Sequence, residues 1–114
     1  MLDSPDQTNV FDAKSMDINE LEDKASDIAV LLKAMGNERR LVILCQLVAH
    51  GEMSVGAMAE KIGLGQSALS QHLAKMRDEG IVATRREGQT IWYRVTDGRV
   101  EELMVILHRL YCKV

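Results

Sequence analysis

The sequence predicts a mainly α-helical chain with one small β-hairpin: five helices, with the hairpin between the fourth and the fifth. Three observations carry this. Between Ser54 and Glu79, SVGAMAEKIGLGQSALSQHLAKMRDE reads as two short amphipathic helices joined by a glycine turn. Behind Gly80, the β-rich runs IVATRR and QTIWYRV flank a polar turn at Glu87-Gly88. Around residues 18–35, 37–50 and 97–112, apolar side chains return every three or four positions.

Residues 1–15 hold the only proline, several acids and little apolar content, so a disordered acidic arm is expected there and a folded domain over residues 16–114. From Ile18 a single helix is expected to run to Met35, with Ile18, Leu21, Ala25, Ile28, Leu32 and Met35 forming a seam wide enough to receive another helix, and Gly36 ending it. Asn37 caps the next helix, whose LVILCQLVAH is apolar almost all round and predicts burial on most sides. Arg39 and Arg40 in its first turn oppose the helix dipole, so an acid nearby or a DNA phosphate must compensate them.

Ser54 caps the third helix, which presents Val55, Met58, Ala59 and Ile62 on one face and stops at Gly63. Leu64 sits in the Gly63-Leu64-Gly65 turn, where it can plug the angle between two helices. On the fourth helix, starting near Gln66, Leu69, Leu73 and Met76 fall within about 60° of one another and form the inward stripe. Ser67, Ser70, Gln71, Ala74 and Lys75 occupy the opposite arc. Short hydroxyl, amide and methyl side chains of this kind suit a helix that enters the major groove of duplex DNA and touches base edges. His72 borders the apolar stripe, either packed there or donating to a phosphate.

A hairpin directly behind such a helix is the wing of a winged helix-turn-helix, and Arg85, Arg86 and Arg94 place positive charge near its tip and base, where phosphates would pass. Trp92 and Tyr93 point to opposite faces of the second wing strand, so one of them packs inward. Thr96 is the expected cap of the last helix. There Val100, Leu103, Leu107, Leu110 and Tyr111 mark a stripe that Met104, Val105 and Ile106 widen, more apolar surface than one face of a small domain buries. The excess predicts a homodimer through the last helix, two recognition helices about 34 Å apart, and a roughly palindromic operator.

Net charge is −3, which hides a split: residues 1–24 hold seven acids and two lysines, and residues 25–114 hold twelve Lys or Arg against ten acids. The folded part is thus mildly basic. An acidic start and the absence of any apolar run of about 18 residues predict a cytoplasmic protein without signal peptide or membrane span. No nucleophile, base and orienting group stand at usable spacing and no glycine-rich phosphate loop is present, so an enzyme is not expected. A protein-interaction adaptor is the rival from another class, and steep salt dependence of duplex binding would separate the two.

GLGQSALSQHLAKMRDEGIVATRREGQTIWYRV resembles the DNA-binding core of the ArsR/SmtB family of bacterial transcription regulators, and the resemblance continues through NERRLVILCQL before it and ILHRLYC after it, over roughly residues 28–112. It implies the winged helix-turn-helix fold, a homodimer through the first and last helices in which the first packs on the partner's last helix, and a regulator without a cofactor. Many members of this family release DNA on binding a metal, but the thiolate ligand positions of the third helix are Ser54 and Gly56 here. The family's last-helix zinc site begins Asp-x-His, and here Asp97 is followed by Arg99, leaving His108 alone; a tetrahedral zinc site is not filled. No metal is therefore expected.

Cys45 in the second helix and Cys112 at the end of the last are 67 residues apart, and as residues alone they read as packing groups, metal ligands or a redox pair. The resemblance is to the subgroup that holds the BigR/SqrR persulfide sensors and the HlyU/NolR-like regulators. In the sensors, two cysteines at matching positions become bridged by a disulfide or a chain of sulfur atoms. It implies a repressor whose DNA affinity is switched by oxidation or persulfidation of Cys45 and Cys112. A metal- or metalloid-responsive repressor using the same two thiols, and a ligand-independent regulator that displaces a silencing protein, are the alternatives.

Overall fold

The computed structural model describes residues 13–112. The chain divides into two units at Lys33 and Ala34, taken separately below. In the first, Ala13–Ser15 form one 3-10 turn, and the rest of the expected acidic arm lies outside the described residues. The helix expected as one piece from Ile18 is two: α1 (Ile18–Asp23), capped by the Asp17 side chain, and α2 (Ala25–Met35), which runs into the second unit. Lys24 separates them because its ψ is 1° rather than the helical value of about −42°. Its carbonyl still accepts from Ile28 N–H at 2.9 Å, so the break is a one-residue kink. Ile18, Leu21, Val30 and Leu32 are exposed.

The second unit is built on α3 (Glu38–His50). Asn37 caps it as expected, Oδ1 accepting from the N–H groups of Arg39 at 3.0 Å and Arg40 at 3.2 Å, and Gly51 closes it with a φ of 82°. The expectation of burial on most sides fails: Ile43, Leu44 and Leu47 are buried, while Val42 and Cys45 are exposed in the single chain. An all-round apolar helix has more surface than a domain of this size can cover.

Met53–Ser54 then form β1, a short strand invisible to sequence patterning, and Ser54 also caps α4 (Val55–Ile62), its Oγ accepting from Ala57 N–H at 3.2 Å. Gly63 ends α4 in the left-handed conformation at a φ of 76°, and α5 (Gln66–Asp78) starts where expected. Gly80, at a φ of 79°, and Ile81 close α5: their N–H groups donate to the carbonyls of Arg77 and Met76, which puts Ile81 into the core at the end of the helix.

The wing strands are β2 (Val82–Glu87) and β3 (Thr90–Val95), paired antiparallel from Val82 opposite Val95 to Glu87 opposite Thr90. The turn is Gly88-Gln89, one residue later than expected, because Glu87 still pairs across the hairpin. β1 adds to the other side of β3, with Met53 opposite Tyr93 and Ser54 opposite Trp92, so the expected two-stranded hairpin is a three-stranded sheet in the order β1-β3-β2. Val82, Tyr93 and Met53 share one face, where Val82 and Met53 are buried and Tyr93 is half-buried; Trp92, also half-buried, is on the other with Arg85 and Arg94.

α6 (Gly98–Tyr111) is capped by Asp97, whose carboxylate accepts from Arg99 N–H at 3.0 Å, and not by Thr96. Thr96 is held instead by the two residues before β2: its hydroxyl donates to the carbonyls of Gly80 and Ile81. Ile43, Leu44, Leu47, Met58, Leu69, Leu73, Met76, Ile81 and Val100 are almost wholly buried and form the core. No described helix is long and apolar enough to cross a membrane.

Candidate nucleic-acid interface

Residue spacing divides α5 into two faces, and the structure places them as expected. Leu69, Leu73 and Met76 have no exposed surface, while Ser67, Ser70, Gln71, Ala74 and Lys75 are all exposed. No bulky apolar side chain interrupts that outer arc, and Gly65 at its head makes no side-chain capping hydrogen bond. Three buried anchors on one side of a rigid helix fix the direction in which the other side points.

His72 is half-buried at the edge between the faces. Its burial, and then the charges of Arg40 and Arg39, push the imidazole below its ordinary value, so near pH 7 it is a neutral packing group. Arg39 is exposed. Arg40 is buried, and its Nη1 donates to Ala34 O at 2.9 Å and to Glu79 Oε1 at 3.3 Å. The bond to Glu79 ties the first turn of α3 to the C-cap of α5 and answers how the charge of Arg40 is compensated: by an acid 39 positions away in the chain.

The three wing arginines differ. Arg85 Nε donates to Glu52 Oε2 at 2.7 Å and Nη2 to Glu52 Oε1 at 2.8 Å, its Nη1 lies 3.9 Å from Glu87, and its guanidinium sits 5.6 Å from the centroid of the Trp92 ring. The bidentate bond to Arg85 holds the Glu52 carboxyl below its usual range, and the same bond raises Arg85. Arg86 and Arg94 are exposed, on opposite faces of the hairpin, and among the described residues no carboxylate is hydrogen-bonded to either. Glu52 has no signal of its own in the sequence, being 33 positions from its partner.

Cys45 and Cys112 are both free and both exposed, which removes the reading of either as a buried core group in the single chain. Val42, one turn before Cys45, and Leu110 and Tyr111, just before Cys112, are exposed beside them in sequence. Among the described residues no three His, Cys, Asp or Glu side chains are grouped to hold a metal ion.

The model of the family described as "Bacterial regulatory protein, arsR family" matches residues 37–84, the span from the α3 cap into the wing. The transcriptional activator HlyU of Vibrio cholerae is 49% identical over 98 residues, 86% of this chain and 90% of that protein. A solved structure of reduced HlyU from the same organism superposes with a TM-score of 0.77, covering 84% of this chain and all of the other. The transcriptional repressor BigR of Xylella fastidiosa, 38% identical, superposes with a TM-score of 0.81 over 87% of this chain and all of that one. Identity at this level over nearly the whole length of such relatives, on the fold and the two-faced α5 described above, places the chain in the ArsR family as a winged helix-turn-helix, DNA-binding transcriptional regulator, and not an enzyme.

Proposed function

We propose that the protein is a homodimeric, sequence-specific repressor that reads a roughly palindromic operator with α5 and the wing and lets go of it when Cys45 and Cys112 are oxidised or persulfidated. The observation that carries the DNA reading is the exposed arc of Ser67, Ser70, Gln71, Ala74 and Lys75 set opposite three fully buried anchors. Gln71 reads a base edge with its amide, Ser67 and Ser70 donate to phosphate or base, and Ala74 leaves room for a thymine methyl. Lys75, Arg86 and Arg94 meet the backbone.

Gln71→Ala is expected to weaken binding to the operator about tenfold and to leave random duplex nearly unchanged, whereas Arg86→Ala weakens both alike and lowers the salt slope by about one. Equal losses of Gln71→Ala on the two duplexes would remove the base-reading assignment.

The switch draws its support from two exposed thiols, one on α3 and one at the end of α6, each near exposed apolar side chains in sequence, and from the existence of a reduced form of the similar HlyU. One thiolate attacks a persulfide donor RSSH, becomes a cysteine persulfide and releases RSH; the second thiolate attacks its inner sulfur, forming the disulfide and releasing hydrosulfide. A bridge between α3 and α6, within or between subunits, alters the spacing of the two reading helices without touching DNA. Affinity for the upstream DNA at fixed salt, reduced and after a persulfide donor, in wild type and Cys45→Ser, tests it. The treated wild type alone should lose about tenfold or more in affinity. Four equal affinities would assign the thiols no part in sensing.

A further inference from the structure

Glu52 and Arg85 lie on opposite edges of the sheet. Glu52 immediately precedes β1, Arg85 is on β2, and β3 runs between the two strands. Trp92 of β3 is paired with Ser54 on one side and with Arg85 on the other, so the Arg85 side chain reaches Glu52 by crossing the face of the Trp92 ring. Two parallel bonds of 2.7 and 2.8 Å end that crossing. Glu52 is also only two residues ahead of Ser54, the cap of α4.

We propose that Glu52 is a positioning residue for the wing, with Arg85 acting as a staple across the sheet and not as a phosphate contact. A planar guanidinium stacked on an indole and bonded at both ends of a carboxylate has few other rotamers to visit. The staple joins the outer wing strand to the residues that start the helix-turn-helix, so the wing keeps one pitch relative to α5. Arg86 and Arg94 are then delivered to the DNA backbone already placed, and no ordering of the hairpin has to accompany binding. With Glu52 on one side and Glu87 3.9 Å away on the other, Arg85 has little net charge left for a phosphate.

The inference rests on the wing lying along the DNA backbone, and the experiment has one arm that needs no DNA. Trp92 is the only tryptophan in the chain, so its emission reports the staple directly. Glu52→Gln, Arg85→Gln and Arg85→Lys are each expected to shift Trp92 emission in the free protein. Each should weaken binding to the upstream duplex about fivefold, with the salt slope unchanged, since no phosphate contact is removed. The double variant Glu52→Gln/Arg85→Gln should bind no worse than either single one, the mark of two side chains acting as a unit.

Lysine keeps the charge but neither stacks in the same way nor bonds two oxygens at once, so Arg85→Lys separates geometry from charge. Tighter binding by Glu52→Gln would mean that Glu52 withholds Arg85 from DNA, and the proposal would be wrong. A flattened salt slope in Arg85→Gln, wild-type behaviour of Arg85→Lys, or unaltered emission in all variants would overturn it as well. If wild type showed no salt-dependent duplex binding, the wing's place on DNA would fall, and the emission arm would still decide the staple.

Discussion

Leu110→Glu combined with Tyr111→Glu is expected to give a folded monomer that binds a two-half-site operator at least about a hundredfold more weakly than wild type. Leu103, Ile106, Leu107 and Leu110 follow one another at the three-and-four spacing of a single helix face. The first three are half-buried in the single chain, while Leu110 is 68% exposed and Tyr111 82%. Exposed apolar surface continues to the C-terminal end of α6, and a second copy of the same helix is the symmetric way to cover it.

Charges placed at these two positions meet water in the monomer and would meet an apolar surface in the proposed dimer, so they penalise assembly and spare the fold. Each winged domain then binds one half-site alone and loses the gain of a tethered second contact. Light scattering reads the mass, and titration of a duplex carrying one or two half-sites reads the affinity. A dimer that persists in the double variant, or a monomer that keeps full operator affinity, would show that α6 is not the seam.

The second large effect is on stability. Leu73→Ala should lower the free energy of unfolding by about 3 kcal/mol, within the range of roughly 2 to 5 kcal/mol found when a fully buried leucine is truncated and its site only partly collapses. Leu73 has no exposed surface and lies between Leu69 and Met76, also fully buried, so no water stands ready to fill the space. Gln71→Ala, two residues away on the same helix, should change stability by no more than about 0.5 kcal/mol because its side chain is exposed. Urea titrations of both variants at one protein concentration make the comparison, since the proposed dimer would add a concentration-dependent term. Similar losses for the two would mean that the faces of α5 are not divided as described.

The three wing arginines show the limit of reading charge from a sequence. Arg85, Arg86 and Arg94 look alike as letters, yet Arg85 is engaged by Glu52, Glu87 and the Trp92 ring, while Arg86 and Arg94 are exposed on opposite faces of the hairpin. Arg40 follows the same logic. Its first-turn position demanded a compensating group, and the acid that supplies it, Glu79, is 39 residues away.

Much of what is set by neighbours within about one helical turn was legible in the residues themselves: the caps Asn37 and Ser54, the left-handed glycines Gly63 and Gly80, the two faces of α5, and the hairpin behind it. These follow from periodicity and from orphan N–H and C=O groups that only nearby side chains can satisfy. The family resemblance in the same stretch pointed to the same fold and to DNA. Most of what sequence reading placed wrongly depends on partners distant in the chain, the break at Lys24 being a local exception. Thr96 lost the cap to Asp97 because the carbonyls of Gly80 and Ile81 take its hydroxyl, β1 exists because β3 offers it an unpaired edge, and α3 exposes Val42 and Cys45 because the rest of the domain is too small to surround it. Each outcome is a competition between one local and one long-range partner for the same group, and only the folded chain brings the second competitor within reach.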